Sequence, residues 1–335
     1  MVSISSSRVT IADIARIAGV STPTVSKVLN GKPGVSESTR ERVSGLLREH
    51  EYEPRRSTPN GVIELVLGEL DSPWSSSLVK AVEEAAFNAD MGVVLSRQRA
   101  GTDEKWLDMI ASRDSDGVVF GAVESTPSQR ARLAEIGLPF VMVDPHSSQS
   151  LDIATVGITH WRGAHSATEY LISLGHTQLA MVGGPLVMLY SQARADGFRA
   201  AAASASIAVS ATSIVHTEFG YAEGRDAALE LLSADSAPTA IFAASDEQAL
   251  GVYEAARRLG LRIPEDLSVV GFNDAPIASW ASPPLTTVRE PLQEMANQAV
   301  SLLRRLIDGG SVGAAIELAT ELVIRESTAA PRSSR

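Results

Sequence analysis

Two groups of side chains carry the chemistry of this sequence. Between Thr10 and Asn30, small hydroxyl and amide side chains recur beside one lysine: Thr10, Ser21, Thr22, Thr24, Ser26, Lys27 and Asn30, with Pro23 among them. Thr10, Ser21, Thr24, Ser26 and Asn30 are sized for phosphate contacts that set register on a duplex. Thr22 and Pro23 can meet a thymine methyl, and Lys27 can donate to guanine O6 or N7. The second group joins aromatic rings to polar groups: Trp74, Trp161, Trp280, Phe219 and Tyr221 with Ser75, Arg194, Asp246, Asn273 and Asp274. Sugars stack their C–H faces on such rings and leave hydroxyls for planar polar side chains. Enzyme signatures are absent. There is no G-x-S-x-G, no Walker loop and no G-x-G-x-x-G, and Gly183-Gly184-Pro185 is a poor phosphate cradle because proline removes a donor. The six histidines show no H-x-x-x-H metal spacing. No catalytic residue, metal or cofactor is expected.

The elements that must position the first group are three short helices. Thr10 with Asp13 makes a capping-box-like start for Ile11–Ala18, and Gly19 stops that helix. Ser21 caps a second helix, Pro23 sits in its first turn, and Val25, Val28 and Leu29 share a face. Asn30-Gly31 and Pro33-Gly34 turn the chain into a third helix, capped by Ser36 and reaching about His50. Helix, glycine-centred turn and helix within about twenty residues is the pattern of a helix-turn-helix, whose second helix enters the major groove. A capped helical hairpin with no ligand is the plainer alternative.

From Glu53 to Gly61 no apolar residue occurs, so the chain is read there as a linker. Beyond it, apolar strand-like runs alternate with amphipathic helices: Val62–Leu67, Val93–Leu95, Gly117–Phe120, Phe140–Val143, Leu179–Val182, Ile214–His216, Ala240–Ala243 and Leu267–Phe272. Uninterrupted apolar strands suit parallel sheets covered on both faces. Two such units form a cleft at the carboxyl ends of their strands, where open α/β sheets bind ligands. The polar tail after Arg325 is expected to be disordered.

The charge of −11 divides unevenly over the 335 residues. Residues 1–56 hold nine basic and six acidic groups, a net +3, which leaves −14 for the remainder. A basic head on an acidic body can approach phosphate with one end only. No apolar run is long enough for a membrane span, the first residues lack a signal-peptide core, and there is no cysteine, so a cytoplasmic location is expected.

The stretch through Ala18-Gly19-Val20-Ser21, Thr24-Val25-Ser26 and Val28-Leu29-Asn30 resembles the head of the LacI/GalR family of bacterial repressors. The resemblance continues through Val35-Ser36, Thr39-Arg40, Tyr52 and Pro54. It returns at Leu174-Gly175-His176, Gly183-Gly184-Pro185, Arg194–Phe198, Asp246–Gly251, Val269–Asp274 and Pro284–Val288. It implies an α/β fold: a three-helix helix-turn-helix head on a two-lobed, periplasmic-binding-protein-like sensor with parallel sheets. The domains expected are a head over 1–54, a linker over 55–61 and a sensor over 62–335. Within the sensor, the first lobe takes 62–158 and 289–328 and the second 159–288. By carry-over, Thr22, Pro23 and Lys27 read bases, Arg194 grips the effector, Phe219 stacks on it and Asn273 neighbours it.

Two departures stand out. The family continues after Tyr-x-Pro into a hinge helix that wedges a leucine into the minor groove; residues 55–61 contain no leucine, leaving Arg55 and Arg56 to follow a groove or phosphate strand, or simply to be solvated. An Asp-Asn pair near the lobe crossover is replaced by Thr159-His160. Trp161 and Trp280 can equally pack at a lobe junction, Trp74 can be core, and Asp246 can merely cap its helix. The resemblance implies a homodimeric repressor of double-stranded operator DNA, controlled by a small molecule of the sugar or short-oligosaccharide class. An activator, or a repressor needing a non-sugar corepressor, is the alternative.

Overall fold

A computed structural model describes residues 11–29, 34–50, 59–99, 103–147, 153–234, 236–311 and 315–332. The first three helices are α1 (Ile11–Ala18), α2 (Thr22–Leu29) and α3 (Glu37–Glu49). Gly19 adopts φ +63°, a conformation that costs a glycine least, and this turns the chain out of α1. The Ser36 hydroxyl accepts from the Thr39 N–H and caps α3. Ile14, Ala15, Ala18, Val25, Val28 and Val43 are buried together, which fixes α2 against the other two.

The sensor begins as two six-stranded sheets. The first comprises β1 (Val62–Leu67), β2 (Gly92–Arg97), β3 (Gly117–Gly121), β4 (Phe140–Val143), β5 (Thr155–Ile158) and β11 (Ile316–Leu318), in the order β11-β5-β4-β3-β1-β2 and parallel throughout. The second comprises β6 (Leu179–Gly183), β7 (Ile214–His216), β8 (Ala240–Ala243), β9 (Ser268–Asn273), β10 (Thr286–Arg289) and β12 (Glu321–Val323), in the order β12-β10-β9-β8-β6-β7. It is parallel except where β12 runs against β10. Strands β3, β6 and β8 are buried at every residue, as expected for sheets covered on both faces.

Helices α4 (Pro73–Phe87), α5 (Asp103–Ser112), α6 (Pro127–Glu135) and α12 (Leu292–Ile307) serve the first lobe. Helices α7 (His160–Ser173), α8 (Leu189–Ser204), α9 (Tyr221–Leu232), α10 (Asp246–Leu259) and α11 (Pro276–Trp280) serve the second. Helices α7 and α8 approach closely because Gly197 has no side chain; a Cβ there would lie 2.2 Å from the Trp161 carbonyl oxygen. This contact sets the start of α7 beside the middle of α8, where the site is built.

The chain crosses between lobes after β5, after β10 and after β11. The third crossing corrects the expected assignment of residues up to 328 to the first lobe, because β12 extends the second sheet. It also corrects the expectation of a disordered tail. Ser327 is fully buried, donates to the Val269 carbonyl at 2.6 Å and accepts from the Thr286 N–H at 2.8 Å. The Ala329 carbonyl accepts from the Ser268 hydroxyl at 3.0 Å. Hydrogen bonds, not apolar burial, order this segment, so its polar composition gives no sign of it.

Candidate effector cleft and nucleic-acid interface

On the head, the Ser21 side chain accepts from the Thr24 N–H at 3.3 Å and hydrogen-bonds the Thr24 hydroxyl at 2.8 Å, closing the N-terminus of α2. Val20 anchors the turn through its N–H to the Ala15 carbonyl, 3.0 Å. The inward face of α2 is spent on Val25 and Val28, and Ser21, Thr22 and Lys27 are exposed. A helix held by its apolar face thus presents hydroxyls and an ammonium outward, which is the requirement for reading a groove. Thr24 is half-buried. Thr10, Asn30, Arg55 and Arg56 lie outside the described residues, as do the side chains of Pro23 and Ser26.

Between the lobes lies a cleft of about 750 Å³. Its walls are the loops at the carboxyl ends of the strands, as the parallel topology dictates. From the first lobe come Trp74 and Ser75 at the start of α4, Arg97 ending β2 and Asp144 following β4. From the second come Tyr190 and Arg194 on α8, Phe219 before α9 and Asn273 ending β9; Glu290 follows β10 at a crossing. The volume matches a small-molecule site.

At its base a buried polar network ties the lobes together. The Arg194 Nη2 donates to Glu290 Oε1 at 3.0 Å, and Nε and Nη2 donate to His160 Nδ1 at 3.3 and 3.2 Å. With Nδ1 accepting, the ring proton belongs on Nε2, which donates to Asp144 Oδ1 at 2.7 Å. The Trp74 indole donates to Glu290 Oε2 at 2.6 Å. Nη1 donates to the Ala244 carbonyl, and the guanidinium lies over the Phe272 ring at 3.6 Å. The Asn273 amide, turned so that its nitrogen meets acceptors, donates to Glu290 at 3.0 Å.

Burial works against ionisation of Asp144, yet His160 and Arg194 outweigh it and hold its carboxyl below the ordinary range. Burial pushes Glu290 up against the pull of Arg194. Three N–H donors converge on Glu290 and fit its ionised form, and the network runs as a chain from Glu290 through the Arg194 guanidinium and the His160 ring to Asp144. Tyr190 is raised, first by burial and then by Asp144, and stays a phenol. Asp144, His160 and Glu290 place ligand atoms within 4.8 Å of one another, a spacing a metal can use. Arg194 already fills the space between His160 and Glu290 with positive charge, so the set does not fit a cation.

Of the sequence-predicted cleft residues, Trp74, Ser75, Arg194, Phe219 and Asn273 come together. Trp161, Tyr221, Asp246, Asp274 and Trp280 do not line the cleft. Trp161 points outward from α7 and stacks on His165 at 4.7 Å; its neighbour His160 takes the inward face. Tyr221 is exposed at the start of α9, and Trp280 is 75% exposed at the end of α11. Asp246 is buried beneath the cleft, accepting from the Thr287 hydroxyl at 2.5 Å and the Ala275 N–H at 2.7 Å. Burial pushes it up to about 8. Asp274 pairs with Arg289 at 2.7 Å and Arg325 at 2.6 Å.

Sequence reasoning missed Tyr190, Asp144 and Glu290. A positional signal existed for each, since all three follow strand carboxyl ends. Asn273 and Asp274 have φ of +112° and +55°, which turns β9 into this loop. Asn and Asp tolerate such backbone better than other side chains.

Residues 10–55 match the family model for bacterial regulatory proteins of the lacI family, and residues 168–328 match the periplasmic binding protein-like domain. The HTH-type transcriptional regulator MalR of Streptomyces coelicolor is 36% identical, with 97% of this chain and 98% of that protein covered. The chain belongs to the lacI family. This family consists of DNA-binding transcriptional regulators rather than enzymes. Among solved relatives, the transcriptional regulator CelR in complex with cellobiose is 32% identical, with a TM-score of 0.74 over 96% of this chain and 100% of that one. The lac repressor dimer bound to operator and the anti-inducer ONPF is 28% identical, with a TM-score of 0.72 over 97% and 100%. Among the described residues of this lacI-family chain, no helix is long and apolar enough to cross a membrane.

Proposed function

We propose that this lacI-family regulator represses transcription from operator DNA as a homodimer, and that a sugar or short oligosaccharide in the interlobe cleft controls it. The observation that carries the reading is the cleft wall. Rings of Trp74, Tyr190 and Phe219 stand beside Arg194, Asn273 and several carboxylates in one interlobe space. Rings stack on sugar C–H faces while the polar groups take hydroxyls. The relatives are consistent with this: CelR was solved with cellobiose, and the lac repressor dimer with operator.

One head presents too little surface for tight binding, whereas two heads on a dimer gain from effective concentration. Binding between the lobes alters the arrangement that Arg194, His160, Asp144, Glu290 and Trp74 hold together. The lobes also meet at the cleft mouth, where the Leu189 N–H donates to the His146 carbonyl at 2.9 Å. A shift of the first lobes across the dimer changes head spacing, and a coupling of about 1–3 kcal/mol changes operator affinity about 5–150-fold.

The test is a thermal-shift screen of mono- and oligosaccharides, with purines and amino acids alongside. A saccharide at about 100 times its Kd should stabilise the sensor by about 2.7 kcal/mol. Stabilisation by purines or amino acids alone would overturn the sugar assignment.

A further inference from the structure

The charges around the cleft are unbalanced. Five glutamates, Glu69, Glu124, Glu218, Glu223 and Glu247, line it above the buried pair Asp144 and Glu290. Among the described residues, two arginines, Arg97 and Arg194, oppose these seven carboxylates. Neither arginine offsets this excess: Arg97 is exposed among the rim glutamates, with its Nε on the Gly68 carbonyl at 3.0 Å and its Nη groups still available. Arg194 has five N–H bonds, and four are used on His160, Glu290 and the Ala244 carbonyl, leaving one on Nη1. Its charge is also more than matched by Asp144 and Glu290, so the network at the base carries a net negative charge.

Polar groups facing the cleft are therefore chiefly acceptors. Some are already engaged: Glu124 accepts from the Ser147 hydroxyl at 2.9 Å, and Glu290 from Trp74. The rim glutamates come from both lobes, with Glu69 after β1 and Glu247 in the first turn of α10. A ligand lying between the lobes meets carboxylates on each side. It must bring hydrogen-bond donors, and any negative charge on it adds repulsion in a cleft that focuses the field.

We infer that the effector is a saccharide without negative charge, and that the cleft rejects phosphorylated and acidic sugars while accepting neutral ones and those bearing an ammonium group. This rests on the saccharide reading above. The carboxylates accept from sugar hydroxyls, the single free Arg194 N–H donates to one ring or hydroxyl oxygen, and Trp74, Tyr190 and Phe219 supply stacking area. Burial first, and then the like charges of Glu69 and Asp71, push Glu247 up to about 7. An ammonium group relieves that repulsion and a phosphate deepens it.

The experiment is calorimetric titration of the full-length protein with charge-matched saccharides on three backbones: ribose, an α-1,4-linked glucose disaccharide and a β-1,4-linked one. Each is offered as the neutral sugar, as an amino derivative and as a phosphorylated or carboxylated derivative. On the backbone that binds, the anionic member is expected to bind at least about ten-fold more weakly than the neutral one, with the gap narrowing as salt rises. The double variant Glu69→Gln, Glu247→Gln should narrow it too, read as the ratio of neutral to anionic affinity, whatever the two glutamates contribute to neutral-sugar binding. An anionic sugar binding as tightly as its neutral parent overturns the inference and leaves the saccharide reading standing. A gap untouched by both salt and the double variant assigns the rejection to shape and overturns the electrostatic account. Failure of every saccharide, in every charge state, overturns the saccharide reading and this inference with it.

Discussion

The head and the cleft handle charge in opposite ways. On α2 the polar side chains stand in water: Thr22 and Lys27 are exposed, and only apolar residues are spent on packing. At the base of the cleft the ionised groups are withdrawn. Arg194 is 4% exposed and Glu290 likewise 4%, and each is surrounded by partners. The head suits a long polyanion that brings its own counter-ions, where exposed donors lose little water before contact. The cleft suits a small ligand identified by the directions of a few fixed hydrogen bonds, which need a rigid, buried frame. One chain thus keeps its two recognition surfaces electrostatically unlike, and the acidic cleft repels the polyanion that the head suits.

The cleft is most sensitive at Arg194. Arg194→Ala leaves Asp144 and Glu290 buried without their counter-charge, and should cost about 3–5 kcal/mol of stability, read by urea unfolding. The α1–α3 head should keep its own fold in that variant. Gly197→Ala should cost about 1–3 kcal/mol by pressing a methyl on the Trp161 carbonyl and parting α7 from α8. Its effector affinity should fall with its stability.

At the head, Lys27→Ala should lose about 1–3 kcal/mol for the preferred DNA sequence, and less for random sequence, in anisotropy titrations. Effector affinity should not move. Equal losses on both DNAs would reduce Lys27 to a phosphate contact.

Glu247 gives a smaller, pH-dependent effect. Its folded-state value of about 7 lies above the ordinary 4.5, so the folded protein holds that proton more tightly. Stability from this group is present below about pH 4.5 and is lost as pH rises toward 7. Glu247→Gln should therefore gain about 1–2 kcal/mol at pH 8, after allowance for solvent screening, and nothing at pH 4. Equal melting shifts at both pH values would contradict the assignment. Trp280→Ala should be smallest, leaving saccharide affinity unchanged because its ring lies outside the cleft.

The two regions also differ in how far their residues could be read from the chain. In the head, cap, stop and apolar stripe occur within a few residues of one another. Gly19 and Ser36 therefore mark α1 and α3 by local chemistry alone. The cleft assembles from strand ends up to 216 residues apart, the separation of Trp74 and Glu290. Local signals pointed to Trp74, Arg194, Phe219 and Asn273 through aromatic character, charge or family position. They failed at Trp161 and His160, where one step along a helix exchanges the buried face for the exposed one. Burial and partners, not residue type, made Asp246 and Asp274 structural. The packed tail around Ser327 was hidden for the same reason, because its order comes from hydrogen bonds to strands distant in sequence.

Control of DNA binding by a saccharide requires coupling between these two unlike surfaces. The most direct measurement is the affinity of the full-length protein for DNA it selects from a random-sequence pool, with and without the saccharide that gives the largest thermal shift. A change of about 5-fold or more at saturating saccharide, abolished by Arg194→Lys while sugar-free DNA affinity persists, is the predicted result. Identical DNA affinity with the cleft empty and saturated would contradict it.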